Sequence, residues 1–314
     1  MTEWHTTLGD TFLLYLVNRP RLFTIEPAIL KNIVTDLKSY IKHDGSPNRS
    51  FYGQKIIGTE SVLSGNGLGW AIKRKVVTRF FAKTKISDLY YACKPHMEGP
   101  ELQRWKDTIK SGKKIELHYQ LGITFTSFLH VLGCENLPDA ESIADNVFRI
   151  LEALPKQHSW SNAWTKYKLE VITMIQNMRS GIKQAISEKA EKVWMDQGHI
   201  DEDEKSSVDM IGFFLEANLK NTQGKFRNLN DVITRTVDDL MAVCLVMDNM
   251  VKQISSLFML LNDEPECQRK MFEELRETSI DIFEGLNDLK YTEKCLLECL
   301  RMRPVLTRGQ RIFK

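Results

Sequence analysis

The stretch from about Asn230 to Leu261 decides most of what the rest of the chain must be. It carries Ile233, Val237, Leu240, Met241, Cys244 and Leu245, then Ile254, Leu257, Phe258 and Leu261, so that apolar residues fall on nearly every face of its middle. A helix that is apolar all round is a buried one, and a buried helix of this length needs other helices on every side. Asn262 and Asp263 break the pattern. Pro265 then stands in the first turn of a new helix, "ECQRKMFEELRE", where its missing N–H is harmless. The expected fold class is mainly α.

The surrounding sequence supplies the covering helices. From Trp70 onward almost everything is helix-periodic, with breaks expected from Pro95 to Pro100, at Leu137-Pro138, at Pro155, over "DQGHIDEDEKSS" and over "NTQGKFRN". The N-terminal end differs. "DTFLLYLVNRPRLFTIEP" holds two short apolar runs either side of Asn18-Arg19-Pro20, which predicts a small β-hairpin. "PAILKNIVTDLKSYI" predicts a helix opened by Pro27. Residues 43–69, rich in Gly, Ser, Asn and Pro, read as a long loop, and the acidic run Asp201 to Glu204 as a solvated one. A chain of 314 residues is long enough for one large core, and one helical domain is expected.

Hydrophobic residues at 42%, charged residues at 27% and a net charge of +2 describe an ordinary globular surface and exclude a disordered or collagen-like chain. That balance carries no nucleic-acid signal. Six cysteines make neither a CxxC pair nor a disulfide-framework spacing, which favours a reducing compartment. The run "FLLYLV" is far short of the ~20 residues of a membrane span, and nothing frames it as a signal peptide. The expectation from the chain as written is therefore that it carries no anchor and is cytoplasmic.

A Glu-x-x-Arg pair at i,i+3 is common on helix surfaces and adds about 0.2–0.5 kcal/mol; Glu101/Arg104, Glu266/Arg269 and Glu273/Arg276 are read that way. Glu298 and Arg301 have different surroundings. "LKYTEKCLLECLRMRP" sets Leu289, Leu296, Leu297 and Leu300 around the charges and closes with Pro304, so partial desolvation of the pair is expected. This segment resembles the K-helix of the cytochrome P-450 haem-thiolate monooxygenases. Other segments follow in that family's order: "LGDTFLLYLVNRPRLFTIEPAILKNIV" resembles the first hairpin and helix B, "GNGLGWAIKRKVVTRFF" helix C, "VDMIGFFLEANL" the helix before the long one, and the long helix with "DEPECQRKMFEEL" helices I and J. Within the family the chain is most similar to the sterol side-chain hydroxylase branch, that of the cholesterol 24-hydroxylases.

The resemblance implies one cytochrome P-450-like domain over residues 1–314: hairpin and helix B over 1–42, a loop over 43–69, helices C to H over 70–228, helix I over 229–262, helices J and K over 263–303, and the start of a strand over 304–314. It implies haem as cofactor, a sterol or other lipophile as substrate, electrons from NADPH through a reductase, the endoplasmic reticulum membrane as location, and no nucleic-acid partner. Trp70 and Arg74 match the family's Trp-x-x-x-Arg, whose indole N–H and guanidinium bond a haem propionate, and Arg311 falls where another propionate-binding arginine stands. One departure is that the residues usually separating "GLG" from the tryptophan are missing. Helical spacing puts Trp70, Arg74, Val77 and Phe81 on one stripe, expected to face inward, and Lys75, Arg79 and Lys83 on another, either a solvated face or a docking face for an acidic electron donor.

Aligned from Pro265, the family's oxygen groove, Ala-Gly-x-acid-Thr, corresponds to Leu245, Val246, Met247, Asp248 and Asn249. Leu245 and Val246 are expected to crowd the oxygen site, and the Asn249 amide cannot titrate where the family has a hydroxyl. Asp248 is either the catalytic acid or a paired structural residue. The family's Gly-x-Arg-x-Cys thiolate loop occurs nowhere before Lys314. The expectation is a chain cut short of that loop, with no metal ligand of its own and inactive alone; the alternative is a helical interaction or lipid-binding protein derived from the family.

Overall fold

The computed structural model describes residues 2–16, 19–36, 39–41, 56–58, 61–80, 83–112, 114–131, 140–153, 162–195, 210–220, 228–278, 281–305 and 312–313. A short helix α1 (Thr2–Leu8) leads into strands β1 (Thr11–Leu16) and β2 (Arg19–Thr24), which pair antiparallel from Thr11↔Thr24 to Leu16↔Arg19. The expected hairpin is present. Phe12 stacks on Phe23 across it at 5.3 Å, and the Thr11 and Thr24 hydroxyls bond at 2.8 Å. Helix α2 (Pro27–Thr35) follows, with Pro27 in its first turn. It is shorter than expected. Asp36 leaves the helical conformation and its carboxylate accepts from Ser39 N, so the chain turns, and Tyr40–Ile41 form β3, paired with β4 (Ile312–Phe313).

Next come α3 (Gly67–Phe80) and α4 (Lys83–His96), a π turn (Met97–Glu101), then α5 (Leu102–Lys110), α6 (Leu117–Val131), α7 (Ala140–Ala153) and α8 (Asn162–Met195). The break expected from Pro95 to Pro100 is not one. The π turn carries the chain from α4 into α5, because its wider hydrogen-bond spacing accommodates Pro100, which has no N–H to give. Glu101 at its end is buried and satisfied by Arg104 and by the Thr124 hydroxyl of α6, so the expected surface pair is a structural clasp.

Helices α9 (Met210–Lys220) and α10 (Leu229–Asp263) form the centre. Asn228 caps α10 by accepting from Asp231 N. Among the described residues, α10 packs against α6, α7, α8, α9 and α12. Its buried residues run from Val232 to Leu257, so although it is long and apolar enough to cross a membrane, it is a core helix. The covering is uneven, since Met250, Phe258 and Met259 are exposed. In α8, Val171, Ile175, Met178, Ile182, Ile186, Ala190 and Val193 recur every three or four residues and form one buried stripe. Helix α11 (Pro265–Glu277), a 3₁₀ turn (Phe283–Asp288) and α12 (Lys290–Met302) complete the fold. Glu274 of α11 accepts from Tyr291 N and Thr292 N, capping α12 from outside. The breaks expected at Leu137-Pro138, Pro155, Asp196 to Ser207 and Asn221 to Arg227 lie outside the described residues.

Candidate functional site

The middle of α10 turns Cys244, Met247, Asp248 and Val251 toward α6 and α7. There a shallow cleft with about 20 Å³ of free space, room for about one water, is also lined by His118, Tyr119, Gly122, Thr126, Ala144, Val147 and Phe148. Asp248 is 6% exposed. Its Oδ1 lies 3.1 Å from Nε2 of His118, and Lys252, one turn on, forms an ion pair with its Oδ2. Burial pushes the Asp248 carboxyl up, but the bonds and charges of His118 and Lys252 outweigh that and hold it below the usual carboxylate range. The His118 ring rests on Phe148 at 5.4 Å. Asn249, Leu245 and Val246 are half-buried beside this acid.

Trp70 is buried, and its indole N–H donates to the Val62 carbonyl at 2.7 Å. The Arg74 guanidinium lies 5.1 Å above the same ring, but it is exposed rather than facing inward. The cation that goes inward is Lys73. Its Nζ meets Asp239 Oδ2 at 2.8 Å, with side-chain exposures of 1% and 0%. Asp239 also accepts from Val62 N at 2.7 Å and from Asn218 Nδ2 at 3.0 Å. Next to it, Asp238 bonds Arg179, whose other amino group donates to the Ile56 carbonyl at 2.9 Å. Burial holds the Asp238 carboxyl above the usual range even against the Arg179 charge. Residues 56–58 and 61–65 are thereby strapped onto α8 and the N-terminal half of α10. None of this was expected, although Lys73 stands three residues after Trp70 and four before Val77, inside the apolar stripe, which is a readable sign of burial.

Glu298 and Arg301 bond each other, with Arg301 Nε 2.8 Å from Glu298 Oε2. The pair is not desolvated: the side chains are 54% and 69% exposed, and Leu297 and Leu300 are exposed with them. α12 meets α10 through its other face, where Cys299 is buried and takes a bond from Gln253 at 3.0 Å. Arg311, Phe81 and the side chains of Arg79 and Lys83 lie outside the described residues; Lys75 is exposed.

Compared with family models, residues 1–314 match that of cytochrome P450. The chain belongs to the cytochrome P450 family. Among solved structures, it resembles the retinoic acid-bound cyanobacterial CYP120A1, with 15% identity, a TM-score of 0.66, and coverage of 100% of this chain and 69% of that one. It also resembles a zebrafish cytochrome P450 with progesterone, with 13% identity, a TM-score of 0.70, and coverage of 96% and 70%. No curated protein matches. The fold and the monooxygenase type of this cytochrome P450 follow from the family; likenesses this distant add the fold alone.

The family implies haem, and the donor set can be tested against it. A haem thiolate needs a cysteine whose thiol is pushed down. Burial instead pushes the thiols of Cys93, Cys295 and Cys299 up, and that of Cys244 up to about 12. Cys267 is engaged with the Tyr291 hydroxyl, and Cys134 lies outside the described residues. Toward a propionate, Trp70 has already given its N–H to Val62, while Arg74 has an exposed guanidinium. The described thiols do not fit a haem ligand.

Proposed function

We propose that this cytochrome P450 belongs to an oxygen- and haem-dependent hydroxylase of a sterol or comparable lipophile, drawing electrons from NADPH through a reductase at the endoplasmic reticulum membrane. We also propose that the 314 residues alone are inactive. The observation that carries the substrate reading is the shallow cleft at the midpoint of α10, whose walls are mostly apolar and which holds one ionised carboxylate, Asp248, bonded to His118. The inactivity rests on the protonated, buried thiols. In this reading Arg74 and Arg311 are propionate partners, Asp248 and Asn249 occupy the oxygen-groove positions, and Glu298 with Arg301 is a clamp left open to solvent.

A second reading, a lipid- or partner-binding protein without catalysis, is favoured by Leu245, Val246 and Asn249 at positions where the resemblance expects two small residues and an alcohol. The test is to purify the chain with haem supplied, reduce it, add carbon monoxide and record the spectrum, then titrate a sterol. A thiolate-type Soret band refutes the inactivity. Absence of both the band and sterol binding refutes the hydroxylase reading.

A further inference from the structure

Helix α11 lies on α12 in a fixed register, because Glu274 of α11 accepts from both Tyr291 N and Thr292 N at 2.7 Å. Back along α11, Met271 and Cys267 share the stripe of Glu274, the one turned to α12, and both are half-buried. Along α12, Cys295 stands one turn after Tyr291 on the same stripe and is half-buried too. The Tyr291 hydroxyl engages the thiols of both Cys267 and Cys295. Two free cysteines from different helices are thus gathered around one phenol. The other described cysteines stand elsewhere: Cys93 on α4, Cys244 buried inside α10, and Cys299 on the face of α12 that meets Gln253.

We propose that Cys267 and Cys295 are a redox-sensitive pair, which a low-molecular-weight disulfide such as oxidised glutathione closes into a bond between α11 and α12. Burial, with the neighbouring Cys267 thiol, pushes the Cys295 thiol up, so Cys267 is the attacking sulfur. Its thiolate attacks one sulfur of the oxidant; the other leaves and takes up the proton that Cys267 gave off. Cys295 then gives up its proton and attacks Cys267 Sγ, and the second small thiol departs with that proton. One S–S bond forms in the protein and one breaks in the oxidant, so the two hydrogens lost by the cysteines are gained by two small thiols. In the reducing surroundings that the cysteine spacing favours, such a bond is transient, the behaviour of a sensor rather than of a permanent staple. While closed, it holds α12 to α11 across the 3₁₀ turn that joins them.

To test it, the native chain is equilibrated with mixtures of reduced and oxidised glutathione, quenched with iodoacetamide in denaturant, and digested with trypsin without reduction. Two of the six thiols are expected to escape alkylation together, and a linked peptide pair carrying Cys267 and Cys295 is expected to appear and to vanish on adding dithiothreitol. Cys295 and Cys299 fall in one tryptic peptide, so fragment spectra of the linked pair locate the bond. In Cys295→Ser, its fold checked by circular dichroism, the link should be lost and glutathione should stay on Cys267. A bond located at Cys299, a link that survives Cys295→Ser, or oxidation of the wild type that stops at glutathione adducts overturns the proposal. So does a chain that keeps all its thiols in the most oxidising mixture.

Discussion

Replacing Lys73 by Met keeps most of the apolar stem and deletes the charge opposite Asp239. At the observed 2.8 Å and an effective dielectric near 20, the pair's gross attraction is about 6 kcal/mol. Part of that only repays the desolvation of the two ions. The Val62 N–H and the Asn218 amide still serve the carboxylate after the change, but they do not neutralise it. The net loss expected for stranding one buried charge is about 3–5 kcal/mol. The double variant Lys73→Met/Asp239→Asn removes both charges and keeps an acceptor for Val62, so it should recover at least half of that loss. Urea unfolding of wild type, single and double variants, followed by circular dichroism, measures both. A single variant within about 1 kcal/mol of wild type, or a double variant less stable than the single, refutes the account of the network as a charge-compensated lock.

Gly58→Ala should destabilise by at least about 1–2 kcal/mol, because the residue sits at φ +65 and the new Cβ would stand 2.0 Å from Asp238 Oδ2; the same urea series checks it. Asp248→Asn should be less stable than wild type at pH 6. Because the folded carboxyl titrates below the ordinary aspartate value of about 3.9, its contribution is full above that value and is lost as pH falls through the lower folded one. The gap between the two proteins should therefore close in acid, and unfolding measured from pH 6 down to pH 3 would show a constant gap if the carboxylate were not so held. Cys244, with its thiol raised to about 12, should resist iodoacetamide at pH 8 in the native chain while Cys267 and Cys295 are alkylated, as mass spectrometry of digests would show.

Local pattern was enough for the hairpin, where alternation and Asn18-Arg19-Pro20 mark both strands, and for α10, whose all-round apolar middle requires a central position. It was not enough for Glu298 and Arg301. An i,i+3 spacing tells that two side chains meet, not which face of α12 packs, and that face is chosen by Cys299 and Gln253 across the helix pair. Asp248 was singled out from the resemblance, but its partner His118 lies 130 residues away and has no local signature. The same distance problem hid Lys73, whose neighbours Arg74 and Lys75 disguise it as one more surface cation.

The strap formed by residues 56–58 and 61–65 bears on how this chain is born. Its fastenings join Val62 and Lys73 to Asp239 across 177 and 166 positions, and Ile56 to Arg179 across 123. At roughly 5–20 residues per second on the ribosome, Lys73 waits on the order of ten to thirty seconds for its counter-ion to be synthesised. During that interval the ammonium has no Asp239 to pair with. Burial of this ammonium against its counter-ion therefore has to follow the synthesis of α10.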